Sequence, residues 1–291
     1  MPSRFIFEIY IYILEKKLYN ICHNLQRRLK MQVFDIHTHI FPDAIAGKAV
    51  QNLSDYYKVK MACEGTREDF KITMKEAQYI KKCLVFSTAT TAHQVESVNN
   101  FVSGIINENI YGFGSMHPDY EEIEKEIDRL MSLGLRGIKI HSDFQGFNVD
   151  CKAACRIYEY AQERGVPILF HAGDENVDSS SPKRFRHIKD MFPDLIMILA
   201  HLGGYSAWDE SEKYLVGQDV YFDTSSTLWK LDKKKAAEMI RNHGIERCFF
   251  GTDYPMHNPK KCIEEFLEIG LSEEENRKIL WQNAIEFFER I

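Results

Sequence analysis

The sequence feature that most restricts the fold is a repeat of short apolar runs along the chain. Each run is rich in Val, Ile or Phe and ends in a polar or glycine-containing cluster, which is typical of buried parallel strands. After a first interval of 51 residues, successive runs start 24 to 30 residues apart. We predict eight strands, at residues 32–36, 83–87, 111–115, 137–141, 167–170, 196–200, 220–223 and 248–251.

Helical patterns fill the intervals between these strands. In residues 120–133, Ile123, Ile127 and Leu130 recur at helical spacing, and Gly134 follows as a C-cap. Strands that alternate with helices form right-handed crossovers, and eight of them usually close into a barrel. An open doubly wound sheet is the alternative, but no G-x-G-x-x-G loop follows the first strand. We therefore predict an α/β fold, a (β/α)8 TIM barrel.

The chain divides into an N-terminal extension, residues 1–30, and the barrel, residues 31–291. An apolar run at 5–14 is too short to span a bilayer. It is also unlike a signal peptide, because an acidic residue interrupts it and no small-residue cleavage site follows. We interpret the extension as an appended helix, upstream of a natural start at Met31. Within the barrel, the long interval 41–81 is expected to form an extra loop and helix over the mouth.

Charge and cysteine content restrict the partners. The formal net charge is −6, from 37 basic and 43 acidic residues, without a long block of like charges. A nucleic acid partner would require a basic surface, so none is expected, and neither is a membrane. The seven cysteines include no C-x-x-C pair, which is typical of reduced thiols. We expect a cytoplasmic protein that acts on a small molecule, and homodimerisation stays open.

Polar residues follow the predicted strands where a barrel enzyme builds its active site. His37 and His39 end strand one, and because side chains alternate along a strand they point to the same face. His171 follows strand five, His201 follows strand six and Asp253 lies just beyond strand eight. Neutral imidazoles and one carboxylate from separate strands suit a divalent metal, whereas the alternative is a set of packing histidines. We predict a metal site.

Four segments carry a resemblance to a known family. They are FDIHTHIFPD, FHAG, AHLGG and GTDYP, in that order and at those strands. The chain from Met31 to Ile291 resembles the amidohydrolase superfamily, in particular its amidohydrolase-related branch (amidohydrolase 2). That branch also contains decarboxylases that act on aminocarboxymuconate semialdehyde. A closing helix with Asn283 and Phe287 agrees with this resemblance, which implies a barrel of the metal-dependent hydrolase type.

The resemblance implies a role for each strand-end residue. His37, His39, His171 and Asp253 would bind one divalent metal, with Zn²⁺ favoured and Mn²⁺ or Fe²⁺ as alternatives. Asp253 would also exchange protons with water at the metal. His201 would be the acid or base that contacts the substrate.

Strand four leaves the number of metals open. Lys139 and His141 share one face of it. Many relatives with two metals carry a carboxylated lysine at the end of this strand. We favour a single metal, with His141 lining the pocket and Lys139 below it. Gln145 and Arg184, in loops over the mouth, are the remaining candidates for substrate binding, since arginine pairs with a carboxylate.

The resemblance implies that water, activated by the metal, attacks the carbonyl carbon of an amide, ester or lactone. A non-oxidative decarboxylase would use the same ligands and is the main alternative. A metal-dependent nuclease on a similar barrel is disfavoured by the acidic charge. A barrel that binds metal without catalysis is disfavoured by the complete set of candidate residues.

Overall fold

Eight parallel strands surround the core of the protein. The computed structural model describes residues 31–291 and, within the N-terminal extension, Lys16; the helix predicted for residues 1–30 otherwise lies outside the described residues. In chain order the strands are β1 (Val33–His39), β2 (Ile80–Phe86), β3 (Ile110–Gly112 and Gly114–Ser115), β4 (Ile138–Ile140), β5 (Ile168–Phe170), β6 (Met197–Leu199), β7 (Tyr221–Asp223) and β8 (Cys248–Phe249).

Each strand pairs in parallel with the next, from β1 to β8. Strand β3 is interrupted at Phe113, so its first segment pairs with β2 and its second with β4. Backbone hydrogen bonds join the two ends of the sheet. Ile36 N donates to Phe250 O at 3.0 Å, and His39 N donates to Tyr254 O at 2.7 Å. The predicted TIM barrel is confirmed.

Helices connect the strands and enclose them. The α-helices are α1 (Asp43–Tyr57), α2 (Arg67–Glu76), α3 (Val95–Ser103), α4 (Ile123–Ser132), α5 (Ser142–Gln145), α6 (Lys152–Arg164), α7 (Pro182–Met191), α8 (Trp208–Tyr214), α9 (Lys233–His243), α10 (Pro259–Phe266), α11 (Glu273–Arg277) and α12 (Asn283–Arg290). A π-helical segment, Lys278–Gln282, joins α11 to α12. Short 3₁₀ turns are Ala92–Gln94, His201–Gly203 and Ile245–Arg247.

The helices predicted from the sequence agree with those of the structure, with one difference. Ile123, Ile127 and Leu130 are buried on α4, as their spacing predicts. The long interval after β1 contains two helices, α1 and α2, instead of one. A second helix starts there because the Thr66 side chain accepts a hydrogen bond from Asp69 N and so caps α2.

The last helix closes the amino-terminal end of the barrel. Phe287 and Phe288 of α12 lie in the core cluster, where Phe288 stacks on Phe34 with ring centroids 5.1 Å apart. Asn283 Nδ2 donates to the backbone oxygens of Ile245 and Cys248, at 2.7 and 2.8 Å. Because apolar side chains fill this end, an open site must lie at the opposite, carboxyl-terminal end.

Two further features concern the helices and the cysteines. Among the described helices, none combines the length and the apolar character needed to cross a bilayer. The six cysteines that lie within the described residues are all free thiols.

One buried histidine should make stability depend on pH. The His243 ring stacks on Phe222 at 3.8 Å, its Nε2 donates to Val220 O and its Nδ1 accepts from Gly217 N. Burial lowers the pKa of His243 from 6.5 to about 4. Between these values the unfolded chain binds a proton that the folded chain excludes, so the free energy of unfolding falls as pH decreases.

We expect this histidine to contribute a loss of about 2 kcal/mol between about pH 7.5 and pH 5. The free energy of unfolding is measured by urea unfolding at both pH values, for the protein and for His243→Phe. Phenylalanine keeps the stacking but cannot titrate, so the loss should disappear in this variant. His93→Phe, at an exposed position, is the control. An unchanged pH dependence in His243→Phe would contradict the prediction.

Candidate metal centre

Two histidines of β1 and one aspartate after β8 meet at the carboxyl-terminal end of the barrel. The Nε2 atoms of His37 and His39 are 3.3 Å apart. Asp253 Oδ1 lies 3.4 Å from each of them. Ligand atoms held at about 2.0–2.1 Å by one tetrahedral ion would be about 3.3–3.4 Å apart. The three side chains therefore have the spacing of a set of metal ligands, and they form one of two such groups among the described residues.

The backbone explains why these three side chains converge. His37 and His39 are two apart on one strand, so both point inward. Asp253 N donates to His37 O at 2.8 Å where β8 and β1 meet. Asp253 also has a positive φ of 62°, which is uncommon for residues other than glycine but is adopted by aspartate more often than by most. Its Oδ2 accepts a hydrogen bond from the Ser226 hydroxyl.

A buried aspartate at the end of β7 fixes the His37 ring. Asp223 Oδ2 lies 2.7 Å from His37 Nδ1, and both side chains are fully buried. The other oxygen, Oδ1, accepts from the backbone nitrogens of Ser225 and His201 and from the Ser225 hydroxyl. His37 therefore donates its Nδ1 proton to Asp223 and presents the Nε2 lone pair to the cavity side. A carboxylate behind a histidine is the usual support of a metal ligand.

Electrostatics keep the histidines neutral and Asp253 ionised. Burial, followed by the charge of Lys139, lowers the pKa of His37 to about 3. Burial also lowers the pKa of His39. Burial alone would raise the pKa of Asp253, but His37, His39 and His201 outweigh it and bring this pKa well below its usual value. At neutral pH the group therefore offers lone pairs and one negative charge, which is what a divalent cation binds.

Lys139 lies beneath this group. Its side chain is fully buried, with Nζ 3.3 Å from His37 Nε2 and 4.7 Å from the centroid of the Phe86 ring. Burial lowers the pKa of Lys139 to about 8, although Asp223 and Asp253 oppose this shift. Lys139 thus sits at the floor of the site, between the metal-binding candidates and the barrel core.

His171 and His201 form a pair beside the three candidate ligands. His201 Nδ1 lies 2.9 Å from Ser225 O, and His201 Nε2 lies 3.1 Å from His171 Nδ1. If His201 donates to Ser225, then His171 donates its Nδ1 proton to His201 and keeps a lone pair on Nε2. That Nε2 atom is buried and makes no hydrogen bond within the described residues. The predicted fourth ligand is therefore adjacent to the compact group and free to bind, but it is not within the group.

A second group of potential ligands contains His141, Asp143 and His171. The imidazoles of His141 and His171 stack with centroids 3.9 Å apart, and Asp143 Oδ2 lies 3.7 Å from His141 Nδ1 and from His171 Nε2. Neither of these two nitrogens has a hydrogen bond in the described part of the chain. Burial raises the pKa of Asp143 to about 6. Tyr57 Oη, which lies 3.2 Å from His141 Nε2, covers the pair.

These side chains lie at the base of a cavity of about 650 Å³. His39, His141, His171 and Asp253 reach its surface, whereas His37 and His201 lie behind them. A cavity of this size can enclose most of a small organic molecule. A small molecule in the cavity can therefore reach the candidate metal ligands.

The two predicted substrate contacts outside the strands have structural partners. Gln145 is buried, where its Oε1 accepts from His141 N and its Nε2 donates to the backbone oxygens of Ala89 and Met116. Arg184 pairs with Asp150 at 2.7 Å and with Asp178 at 2.9 Å. Neither Gln145 nor Arg184 is among the described residues that line the cavity.

The residues fit a divalent metal. His37 Nε2, His39 Nε2 and Asp253 Oδ1 bring electron pairs together, and His141 Nδ1 and His171 Nε2 nearby make no hydrogen bond in the described part of the chain. Buried polar atoms without partners are costly, so such an arrangement is expected only where a ligand completes it. The donor set of imidazoles and carboxylates suits Zn²⁺, Mn²⁺ or Fe²⁺ better than Mg²⁺ or Ca²⁺, which prefer oxygen ligands.

Sequence reasoning missed several residues of this centre. Asp223 ends β7, and the rule that selected His171 and Asp253 applies equally to it. Asp143 lies two residues after His141, so the spacing of His37 and His39 repeats there. Tyr57 could not have been found, because α1 reaches the site only through the tertiary fold.

Comparison with known proteins agrees with the fold and the strand-end motifs. The family model described as Amidohydrolase matches residues 34–290. No curated protein matches the sequence. Among solved structures, a TIM-barrel protein of Bordetella bronchiseptica has a TM-score of 0.69 at 16% identity, over 89% of this chain and 99% of that chain.

Two further structures carry functional names. A dihydroxybenzoic acid decarboxylase from Polaromonas, with bound manganese and the inhibitor nitroresorcinol, has a TM-score of 0.69 at 16% identity, over 89% of this chain and 97% of that chain. A probable pyrone dicarboxylic acid hydrolase from Acinetobacter baumannii, with citric acid bound, has a TM-score of 0.65 at 14% identity, over 89% of this chain and 100% of that chain. At these identities the structures share the barrel alone. The match of the family model over residues 34–290 establishes that this chain belongs to the amidohydrolase family.

Proposed function

We propose that the protein is a metal-dependent hydrolase that cleaves an ester, lactone or amide of a small molecule. The observation that carries this proposal is the convergence of His37, His39 and Asp253 at 3.3–3.4 Å, at the base of an open cavity. His171, whose Nε2 makes no hydrogen bond with the described residues, would complete the ligand set. We favour one ion of Zn²⁺, with Mn²⁺ or Fe²⁺ as alternatives.

When bound, the metal would supply Lewis-acid chemistry, which lowers the pKa of water and polarises a carbonyl group. Asp253 reaches the cavity surface as a carboxylate, because the nearby histidines lower its pKa. It would accept the proton of the attacking water and deliver that proton to the leaving oxygen or nitrogen. Tyr57 keeps its proton because burial raises its pKa, and it lines the cavity. Its hydroxyl would donate a hydrogen bond to the substrate's carbonyl oxygen.

The role of His201 changes in this proposal. Its ring lies behind His171 and is not among the residues that line the cavity. Its Nε2 would accept the proton of His171 Nδ1 and so direct the lone pair of His171 Nε2 to the site. We therefore assign His201 as a positioning residue instead of the acid or base that contacts substrate. A second ion held by a carboxylated Lys139 remains the alternative to a single metal.

Non-oxidative decarboxylation is the second candidate function. It is supported by the neighbours named as decarboxylases, among them a dihydroxybenzoate enzyme described with its substrate and one with bound manganese. The same residues would serve, with Asp253 directing a proton to carbon. The wall of the cavity favours hydrolysis, because its described residues offer no lysine or arginine to a carboxylate.

Product analysis separates the two functions. We expect purified protein to contain about one divalent transition metal per chain and to lose turnover on chelation. Incubation with ester, lactone and amide panels should release an acid together with an alcohol or amine. Incubation with hydroxylated benzoates should release no carbon dioxide. Release of carbon dioxide without hydrolysis would establish the decarboxylase, and protein without stoichiometric metal would rule out both.

A further inference from the structure

Helix α1 turns its apolar face toward the cavity instead of the core. Ile45, Ala49, Leu53 and Tyr56 line the cavity, and their spacing places them on one face of the helix. Ala46 is the one residue of α1 that is buried, and Ile45 is 52% exposed. A helix normally covers its apolar face with other protein atoms. Here the described residues leave that face open to the cavity.

The rest of the cavity wall is also apolar. Val98 and Phe101 of α3 contribute to it, with hydroxyl groups and amides between the apolar side chains. At the inner end, Tyr56, Tyr57 and Phe144 are in mutual edge-to-face contact, with centroids 4.9–5.9 Å apart. Such a wall binds alkyl or aromatic groups by apolar burial and dispersion.

Charged groups are almost absent from this wall. Among the described residues that line the cavity, Asp253 is the one member of the set Asp, Glu, Lys and Arg, and it belongs to the metal centre. Lys48, the one cation in α1, is exposed and does not line the cavity. The Arg67 guanidinium lies over the Phe101 ring at 4.9 Å and does not line it either. A carboxylate on the non-reacting part of a ligand would lose its hydration without gaining a cationic partner.

We propose that the substrate is an ester, lactone or amide whose non-reacting part is a large, uncharged alkyl or aryl group seated against α1 and α3. The proposal rests on the hydrolase function for the position of the reacting carbonyl. In the reaction, the acyl–oxygen or acyl–nitrogen bond breaks and the oxygen of water bonds to the acyl carbon. A proton of that water passes to the leaving oxygen or nitrogen.

A series of nitrophenyl esters tests the proposal on the unmodified, metal-loaded protein. From acetate through butyrate to hexanoate, kcat/KM should rise about three- to fourfold for each added methylene. The hexanoate analogue with a terminal carboxylate should be cleaved about tenfold less efficiently than hexanoate. A flat series, or a preference for the carboxylated ester, would overturn the proposal.

A matched pair of substitutions in α1 tests the wall itself. Ala49→Arg places a cation at the cavity surface, whereas Ala44→Arg places the same cation at an exposed position of the same helix. In Ala49→Arg, the ratio of kcat/KM for hexanoate to kcat/KM for its carboxylated analogue should shift about tenfold or more in favour of the carboxylated ester. Ala44→Arg should leave the ratio unchanged. Equal shifts in both variants would contradict the proposal, and circular dichroism verifies that both fold.

Binding of a ketone that cannot be cleaved separates this proposal from the hydrolase function. Methyl hexyl ketone should bind more tightly than methyl propyl ketone, and Ala49→Arg should weaken its binding about tenfold. Such binding without cleavage of any ester, lactone or amide would refute the hydrolase function and support the apolar site. Cleavage of esters with no dependence on chain length, in either binding or turnover, would support the hydrolase and refute the apolar site.

Discussion

Asp253→Asn should abolish most of the turnover while the fold is retained. Asparagine has nearly the same size, and the backbone bond from residue 253 N to His37 O does not depend on the side chain. The amide cannot accept the proton of the attacking water, and loss of such a general base typically lowers the rate about 10²- to 10⁴-fold. The carboxylate charge that balances a cation also disappears. Measurements of kcat and of metal content on the same preparations test both effects.

Asp209→Asn is the matched control for this variant. Asp209 is fully exposed in α8, and its ion pair with Lys235 is long at 4.0 Å. The control should keep its turnover and its metal content. If Asp253→Asn, loaded with metal, kept more than about a tenth of the turnover, the proposed proton transfer would be wrong.

The barrel could be predicted because its cause is local and repeated. Each buried parallel strand must be apolar on both faces, and each crossover needs a helix of similar length, so the eightfold repeat appears in the sequence. The carboxyl ends of the strands share one end of the barrel. His37, His39 and Asp253 could therefore be placed together although they are distant in the chain, and the structure places them within 3.4 Å.

The cavity could not be predicted because it depends on how connections fold across the mouth. The interval after β1 was expected to hold one helix, and it holds two, of which α1 supplies much of the cavity wall. A loop arginine was the natural candidate for a substrate carboxylate. In the structure, Arg184 forms ion pairs with Asp150 and Asp178. These pairs depend on the tertiary fold, so no local sequence pattern predicts them.

Asp223 shows how a residue behind a histidine can determine whether that histidine is able to bind a metal. Its Oδ1 accepts two backbone N–H groups, of Ser225 and His201, and the Ser225 hydroxyl. In Asp223→Asn an amide NH₂ group cannot occupy that position, because it would face donors. The NH₂ group must then replace Oδ2 and donate to His37 Nδ1. His37 would be forced to carry its proton on Nε2, the atom that faces His39 and Asp253.

We therefore expect Asp223→Asn to weaken metal affinity about 10- to 100-fold, with turnover falling in proportion when metal is limiting. Asp35→Asn is the control, since Asp35 is equally buried but accepts from Thr252 and from the backbone of His37. Metal titration gives the affinities, and ¹⁵N NMR of the imidazoles distinguishes the tautomers. The proton should move from Nδ1 to Nε2 of His37 in Asp223→Asn alone. Lower affinity with an unchanged tautomer would mean that Asp223 supports the barrel and not the ligand, since the ring would still present its lone pair to the metal.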